Sequence, residues 1–277
     1  MPGCAGTCSL VRRAWRRART ASHRKTDYNQ RYRPRLLNVE QREAIVATAP
    51  ALVLVHGAWH GPWCWDLVIE RLSGVDIRTI ALPSSGHDPS KLGDLYNDAE
   101  IVRSVVADVD GPVVVCAHSY GGAPITEALV GMGKVRHLVY LCAWQGNIGD
   151  SLLGARHGIP PPWWEMHEVE GYVDPLRPRE IFYGDVDPPT AKAAIARLGH
   201  QSLAAVSQPL TQASWRNISS TYVICEKDCA IPPATQEQMA RRAHRVKRLD
   251  TSHSPFLSRP SRVADILRNE LRTAAAD

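Results

Sequence analysis

A chain of 277 residues with 44% hydrophobic and 22% charged residues has the size and composition of one α/β domain with an insertion. No apolar run approaches the roughly eighteen residues of a membrane-spanning helix. The net charge of +5 is misleading: ten Lys and Arg against the single acid Asp27 put +9 into residues 1–35, so the remainder is mildly acidic and offers no footprint for nucleic acid.

Residues 1–50 read as a basic N-terminal extension, predicted to be disordered or to be sequence upstream of the true start. Leu10, Val11, Ala14, Trp15 and Ala18 would share a helical face ringed by arginines, the pattern of a targeting segment or an anionic-membrane contact. A twin-arginine signal fits poorly, because more arginine follows Arg12-Arg13 where an apolar stretch belongs. Residues 38–48 can add a short helix. The seven cysteines are an odd set, and Cys116, Cys142 and Cys225 fall in predicted strands. That pattern indicates reduced, mostly buried thiols and a cytoplasmic protein.

The domain proper begins with the apolar strand Ala51 to Val55, which runs into His56-Gly57-Ala58-Trp59-His60-Gly61-Pro62-Trp63-Cys64-Trp65 and a helix through about Leu72. A second strand spans Ile77 to Leu82. A helix follows from about Asp94 to Val109, with Ile101, Val102, Val105, Val106 and Val109 on one face. The strand at Val113 to Ala117 leads through His118-Ser119-Tyr120-Gly121-Gly122 into a helix reaching about Met132, and Arg136 to Ala143 forms the next strand. The alternation breaks at Trp144. Residues 144–210, rich in Gly and Pro with a helix near Thr190 to Leu198, contain no central strand and are predicted to be a cap over the sheet. It resumes with strand Thr221 to Cys225, a helix near Ala234 to Ala243, strand Val246 to Leu249 and a final helix from about Arg259 to Leu271. Residues 51–143 and 211–277 thus predict an α/β core: a mostly parallel sheet with helices on both faces.

The chemistry centres on Ser119. A serine raised on a tight strand-to-helix turn brings neighbouring backbones close, so positions 117 and 121 must be small, and they are alanine and glycine. A serine hydroxyl needs a base and a group to orient that base. Of the eleven histidines, His253 alone lies on the loop between the last strand and last helix. Asp228, in the loop after the preceding strand, is the candidate acid, with Glu226 and Asp150 as rivals. The order Ser119, Asp228, His253 places each residue at the carboxyl end of a strand. Backbone N–H groups of Tyr120 and Ala58 are the candidate oxyanion donors, each worth about 3 kcal/mol in the transition state. His118 adjoins the serine but reads as structural. His56 and His60 lie four apart without the helical glutamate of a zinc motif, so no metal is expected.

These stretches resemble the α/β-hydrolase superfamily over roughly residues 51–272, and within it the branch of EstC-like carboxylesterases, plant methylesterases and hydroxynitrile lyases. The resemblance implies an α/β-hydrolase fold with a small cap, and cofactor-free ester hydrolysis through an acyl-serine intermediate. Lyases of this branch carry a lysine after the catalytic histidine and a hydroxyl residue in the first-strand loop. Here Ser254 and Gly57-Ala58 stand there, which disfavours cyanohydrin cleavage. Epoxide hydrolases and haloalkane dehalogenases use an aspartate where Ser119 stands. Thioesterase, lactonase, perhydrolase and C–C hydrolase chemistry remain compatible with the same three residues, as does a slow or non-catalytic small-molecule binding protein. Trp59, Tyr120, Trp144, Trp163 and Trp164 are the expected walls of a pocket for a small apolar or aromatic ester, or else packing between cap and sheet. The partner is therefore expected to be a small-molecule ester, with neither nucleic acid nor a membrane for the core domain.

Overall fold

The computed structural model describes residues 49–276; the expected disordered extension, its amphipathic stretch and the short helix at 38–48 lie outside the described residues, save for residues 49 and 50. Six parallel strands form one sheet: β1 (Ala51–Val55), β2 (Ile77–Ile80), β4 (Val113–His118), β5 (Val135–Leu141), β9 (Ser220–Cys225) and β10 (Arg245–Leu249). Their order across the sheet is β10-β9-β5-β4-β1-β2. Parallel pairing requires crossovers, and these carry helices onto both faces.

The apolar runs of β1 and β4 are continuous because each strand is buried on both sides. Alternate side chains go to opposite layers. Val53, Val55, Val113, Val115, Leu138, Tyr140, Tyr222 and Ile224 share one core with helices α1 (Leu95–Ala107), α2 (Gly122–Ala128) and α4 (Pro233–Ala240). Leu52, Leu54, Val114, Cys116, Val139, Leu141, Val223 and Cys225 share the other with Trp65, Phe256 and helix α5 (Pro260–Ala274). Helix α5 holds on through Val263, Leu267 and Leu271, spaced four apart along a single stripe.

Three details differ from the sequence reading or add to it. The inward face of α1 is Leu95, Asp98, Ala99, Val102 and Val106, while Ile101 is exposed. A buried carboxylate at 98 rotates the face away from the purely apolar reading. The segment 144–210 supplies no central strand, but it does build a sheet of its own. Strands β6 (Trp164–His167), β7 (Tyr172–Pro175) and β8 (His200–Ser202) pair antiparallel, and the two-residue β3 (Ser85–Gly86) of the core joins their edge. Helix α3 (Pro188–Ile195) begins earlier than expected because Asp187 caps it and Pro188 takes the first helical position, where a missing N–H costs nothing. Among the described residues, no helix is long and apolar enough to cross a membrane.

Candidate active site

Ser119 follows directly on β4, and its φ of +51° is left-handed, a conformation that costs a non-glycine residue about 1 kcal/mol or more. The turn is held because three backbones converge on it. A methyl group at Gly121 would lie 2.4 Å from the His56 carbonyl oxygen, and one at Gly122 would lie 2.2 Å from that of Trp144. The glycines therefore let the loops after β1 and β5 press against the serine turn. Trp144 N–H donates to the Ser119 carbonyl at 2.9 Å and fixes that approach.

His253 and Asp228 stand on the loops after β10 and β9, and both side chains are buried. Ser119 Oγ lies 2.9 Å from His253 Nε2, and His253 Nδ1 donates to Asp228 Oδ2 at 2.7 Å. The second carboxylate oxygen accepts from the Ala230 and Ile231 N–H groups at 2.8 and 2.9 Å, and Gln236 Nε2 donates to the first at 2.9 Å. Gln236 is itself pinned, accepting from Cys225 N–H and donating to the Ile231 carbonyl. Asp228 is thus held by three donors and presents a further lone pair to the imidazole. Neither rival reaches the ring: Glu226 pairs with Arg248, and Asp150 accepts from Asn147 N–H in a local turn. Lys227 pairs with Asp250 instead of Asp228.

His118 lies behind the site. Its Nε2 donates to the His253 carbonyl at 2.8 Å, its ring packs 4.6 Å from that of His253, and burial holds its pKa well below the ordinary value. His118, Cys142 and His253 form a buried cluster of metal-capable groups, yet both other residues point at the His253 carbonyl and the His253 nitrogens are committed to Asp228 and Ser119. His56 and His60 are likewise engaged: their Nδ1 atoms donate to the Gly57 and Ala58 carbonyls, and their Nε2 atoms accept from Leu82 N–H and the Tyr183 hydroxyl. The donor set of this loop suits a rigid backbone turn and not a cation.

The Ala58 N–H has no protein acceptor among the described residues, and Tyr120 N–H belongs to the first turn of a helix, where donors lack intrahelical partners. Both residues line a cavity of about 240 Å³ that also holds Ser119 and His253 in its wall. Trp59, Trp144, Trp163 and Trp164 line it as well. Trp59 packs at the same time: its ring stacks on Phe182, meets Trp163 and Trp164 edge-on at 5.7 and 5.9 Å, and its Nε1 donates to the Val173 carbonyl. Trp59 therefore lines the cavity and packs against the cap with the same ring. Phe182, whose ring lies 5.7 Å from that of His253, and Ile231 complete the apolar wall. Neither carried a signal in the sequence. Gln236 was missed too, being an ordinary polar residue in a polar helix.

The family model described as "Alpha/beta hydrolase family" matches residues 52–266. The chain is 32% identical over 240 residues to alpha/beta hydrolase nvfD of Aspergillus novofumigatus, covering 79% of this chain and 96% of that one. It is 27% identical over 243 residues to a pyrethroid hydrolase of Sphingobium wenxiniae, covering 79% and 87%. A solved methylesterase from Arabidopsis superposes with a TM-score of 0.67 at 22% identity, over 81% of this chain and 99% of that one.

Proposed function

The chain belongs to the alpha/beta hydrolase family, and from that premise we propose that it is a carboxylic ester hydrolase that works through an acyl-serine intermediate on Ser119. The observation that carries the reading is the unbroken hydrogen-bond chain Ser119 Oγ, His253, Asp228 in the wall of an aromatic cavity. A relative named pyrethroid hydrolase supports ester cleavage.

In the proposed reaction His253 Nε2 takes the hydroxyl proton as Ser119 Oγ bonds to the ester carbonyl carbon. The carbonyl π electrons move to oxygen, which receives the Ala58 and Tyr120 N–H groups. Collapse breaks the carbon–oxygen bond to the alcohol, and the imidazolium returns its proton to that leaving oxygen. Water, deprotonated by the same ring, then releases the acid and restores Ser119. Asp228 keeps the proton on Nδ1, so that Nε2 faces the serine as an acceptor, and it stabilises the imidazolium. The steps balance on these residues and water.

The cavity is small, and its lining of Trp144, Trp163, Trp164 and Phe182 suits an apolar or aromatic ester of modest size. Free buried thiols at Cys64, Cys116, Cys142 and Cys225, with an exposed one at Cys229, support a reducing, cytoplasmic setting. The proposed partner is the ester alone; the mildly acidic remainder of the chain does not favour nucleic acid. Hydrolysis of p-nitrophenyl acetate and a panel of aryl and methyl esters tests the reading. Turnover that disappears with His253→Ala is expected, whereas a protein that binds these esters and releases no alcohol would be a receptor on the same fold.

A further inference from the structure

We infer that Asp98, Ser84 and Gln201 are positioning residues whose buried hydrogen bonds set both oxyanion donors, an inference that rests on the ester-hydrolase reading. Asp98 is fully buried on the inward face of α1, between positions otherwise occupied by Leu95, Ala99, Val102 and Val106. An apolar side chain there would fill the space without the cost of desolvating a carboxylate, so packing alone does not account for an acid.

Its contacts do. Asp98 Oδ2 accepts from the Tyr120 hydroxyl at 2.6 Å and from the Ser84 hydroxyl at 2.5 Å, while Oδ1 accepts from Ser84 N–H at 2.9 Å. Ser84 Oγ in turn accepts from Gln201 Nε2 at 3.0 Å. Gln201 Oε1 accepts from the Ser85 hydroxyl at 2.6 Å and from Trp59 N–H at 3.4 Å. One end of this chain therefore grips Tyr120, whose own N–H is the first donor. The other end grips Trp59, the residue joined to the second donor, Ala58.

Both grips fall where the backbone is under tension. Ser119 beside Tyr120 and Trp59 beside Ala58 are left-handed, at φ +51° and +62°, and neither is glycine. Such conformations persist only where surrounding bonds over-determine them. Gln201 stands on β8, the cap strand paired to β3, so the same chain ties the cap to the hole that stabilises the oxyanion. Oxyanion contacts strengthen on the way to the transition state, so loosening them lowers kcat and leaves KM nearly unchanged.

The test measures kcat per active site, titrated with a fluorophosphonate, together with KM and thermal unfolding for Tyr120→Phe, Asp98→Asn and the double variant. Tyr120→Phe is expected to lower kcat about ten-fold with KM within about two-fold. Asp98→Asn should lose at least as much, and the double variant no more than Asp98→Asn alone, because both break one chain. Affinity for a trifluoromethyl ketone, which forms a tetrahedral adduct on the serine, should fall in parallel with kcat. Tyr120→Phe removes a single oxygen and carries the test alone should Asp98→Asn not fold. Unchanged kcat per titrated site with only the melting temperature lowered overturns the inference, as do additive losses. A wild-type protein with no serine-dependent hydrolysis would sink the esterase reading instead.

Discussion

Acidification should destabilise this protein through the buried histidines of the loop after β1. His56 and His60 are fully buried beside the site, and burial lowers their pKa values to about 4 and about 3. Their hydrogen bonds say the same: each Nδ1 donates to a carbonyl, so each Nε2 must accept, and protonating it would set N–H against Leu82 N–H or crowd the Tyr183 hydroxyl. In the unfolded chain both rings titrate near 6.5. Above that pH neither state binds the proton and stability is flat. As pH falls below 6.5 the unfolded state gains protons that the folded state refuses, so stability is lost. At pH 5 the gap of about 1.5 pH units costs about 2 kcal/mol per ring, about 4 kcal/mol for the pair. Asp98 opposes this. Its carboxyl, pushed up to about 6 by burial, protonates in the folded protein before it does in the unfolded chain, and returns about 1 kcal/mol between pH 6 and pH 5. His118, which burial also holds well below the ordinary value, loses stability in the same direction. The net loss is therefore at least about 3 kcal/mol, a large share of a typical total of about 5–15 kcal/mol. Urea unfolding between pH 8 and pH 5 reads it directly. With an m-value of about 3 kcal/mol/M the midpoint should fall by at least about 1 M at pH 5. A midpoint that stays level or rises from pH 7 to pH 5 would refute the reasoning.

Asp228→Asn leaves the shape of the site but favours the wrong imidazole tautomer, and turnover of a p-nitrophenyl ester should drop about 10⁴-fold. Intact activity in that variant, with loss in Glu226→Gln or Asp150→Asn, would move the acid elsewhere. Gly57→Ala would place a methyl 2.7 Å from both Ser119 Cβ and His118 Nδ1, and should lower stability by about 1–3 kcal/mol and disturb turnover. Gly133→Ala meets nothing within 4 Å, and its thermal unfolding should match the parent, which makes it the control. Trp164→Ala opens the cavity wall, so the ratio of rates on long and short acyl esters should rise; an unchanged ratio would leave Trp164 with packing alone.

The core was legible because β1 and β4 are apolar runs and α5 is striped, and because Ser119 and Asp228 follow strands buried on both faces. His253 follows the half-exposed edge strand β10 and stood out by its place between the last strand and the last helix. Small residues at 117 and 121 carried the serine turn into view, and the close approach of the His56 carbonyl to Gly121 is the reason one of them is glycine. The cap sheet was not legible. Its strands are three or four residues long, mixed in polarity and only partly buried, and the core's Ser85–Gly86 edge and the Trp59 indole anchor them. Asp98 escaped for a related reason: an acid amid apolar residues reads as the outward face, unless Ser84 and Tyr120, distant in sequence, are known to be waiting for it. Phe182 likewise gained its place beside His253 only from the way the cap folds back.

The central claim is that Ser119 attacks the ester carbonyl. Steady-state hydrolysis of p-nitrophenyl acetate by Ser119→Ala, with mass spectrometry of the fluorophosphonate-treated parent, tests it most directly. The account predicts a loss of about a million-fold in turnover and a single phosphonyl adduct on the peptide containing Ser119. Turnover surviving in Ser119→Ala, or an adduct on a different residue, would contradict it.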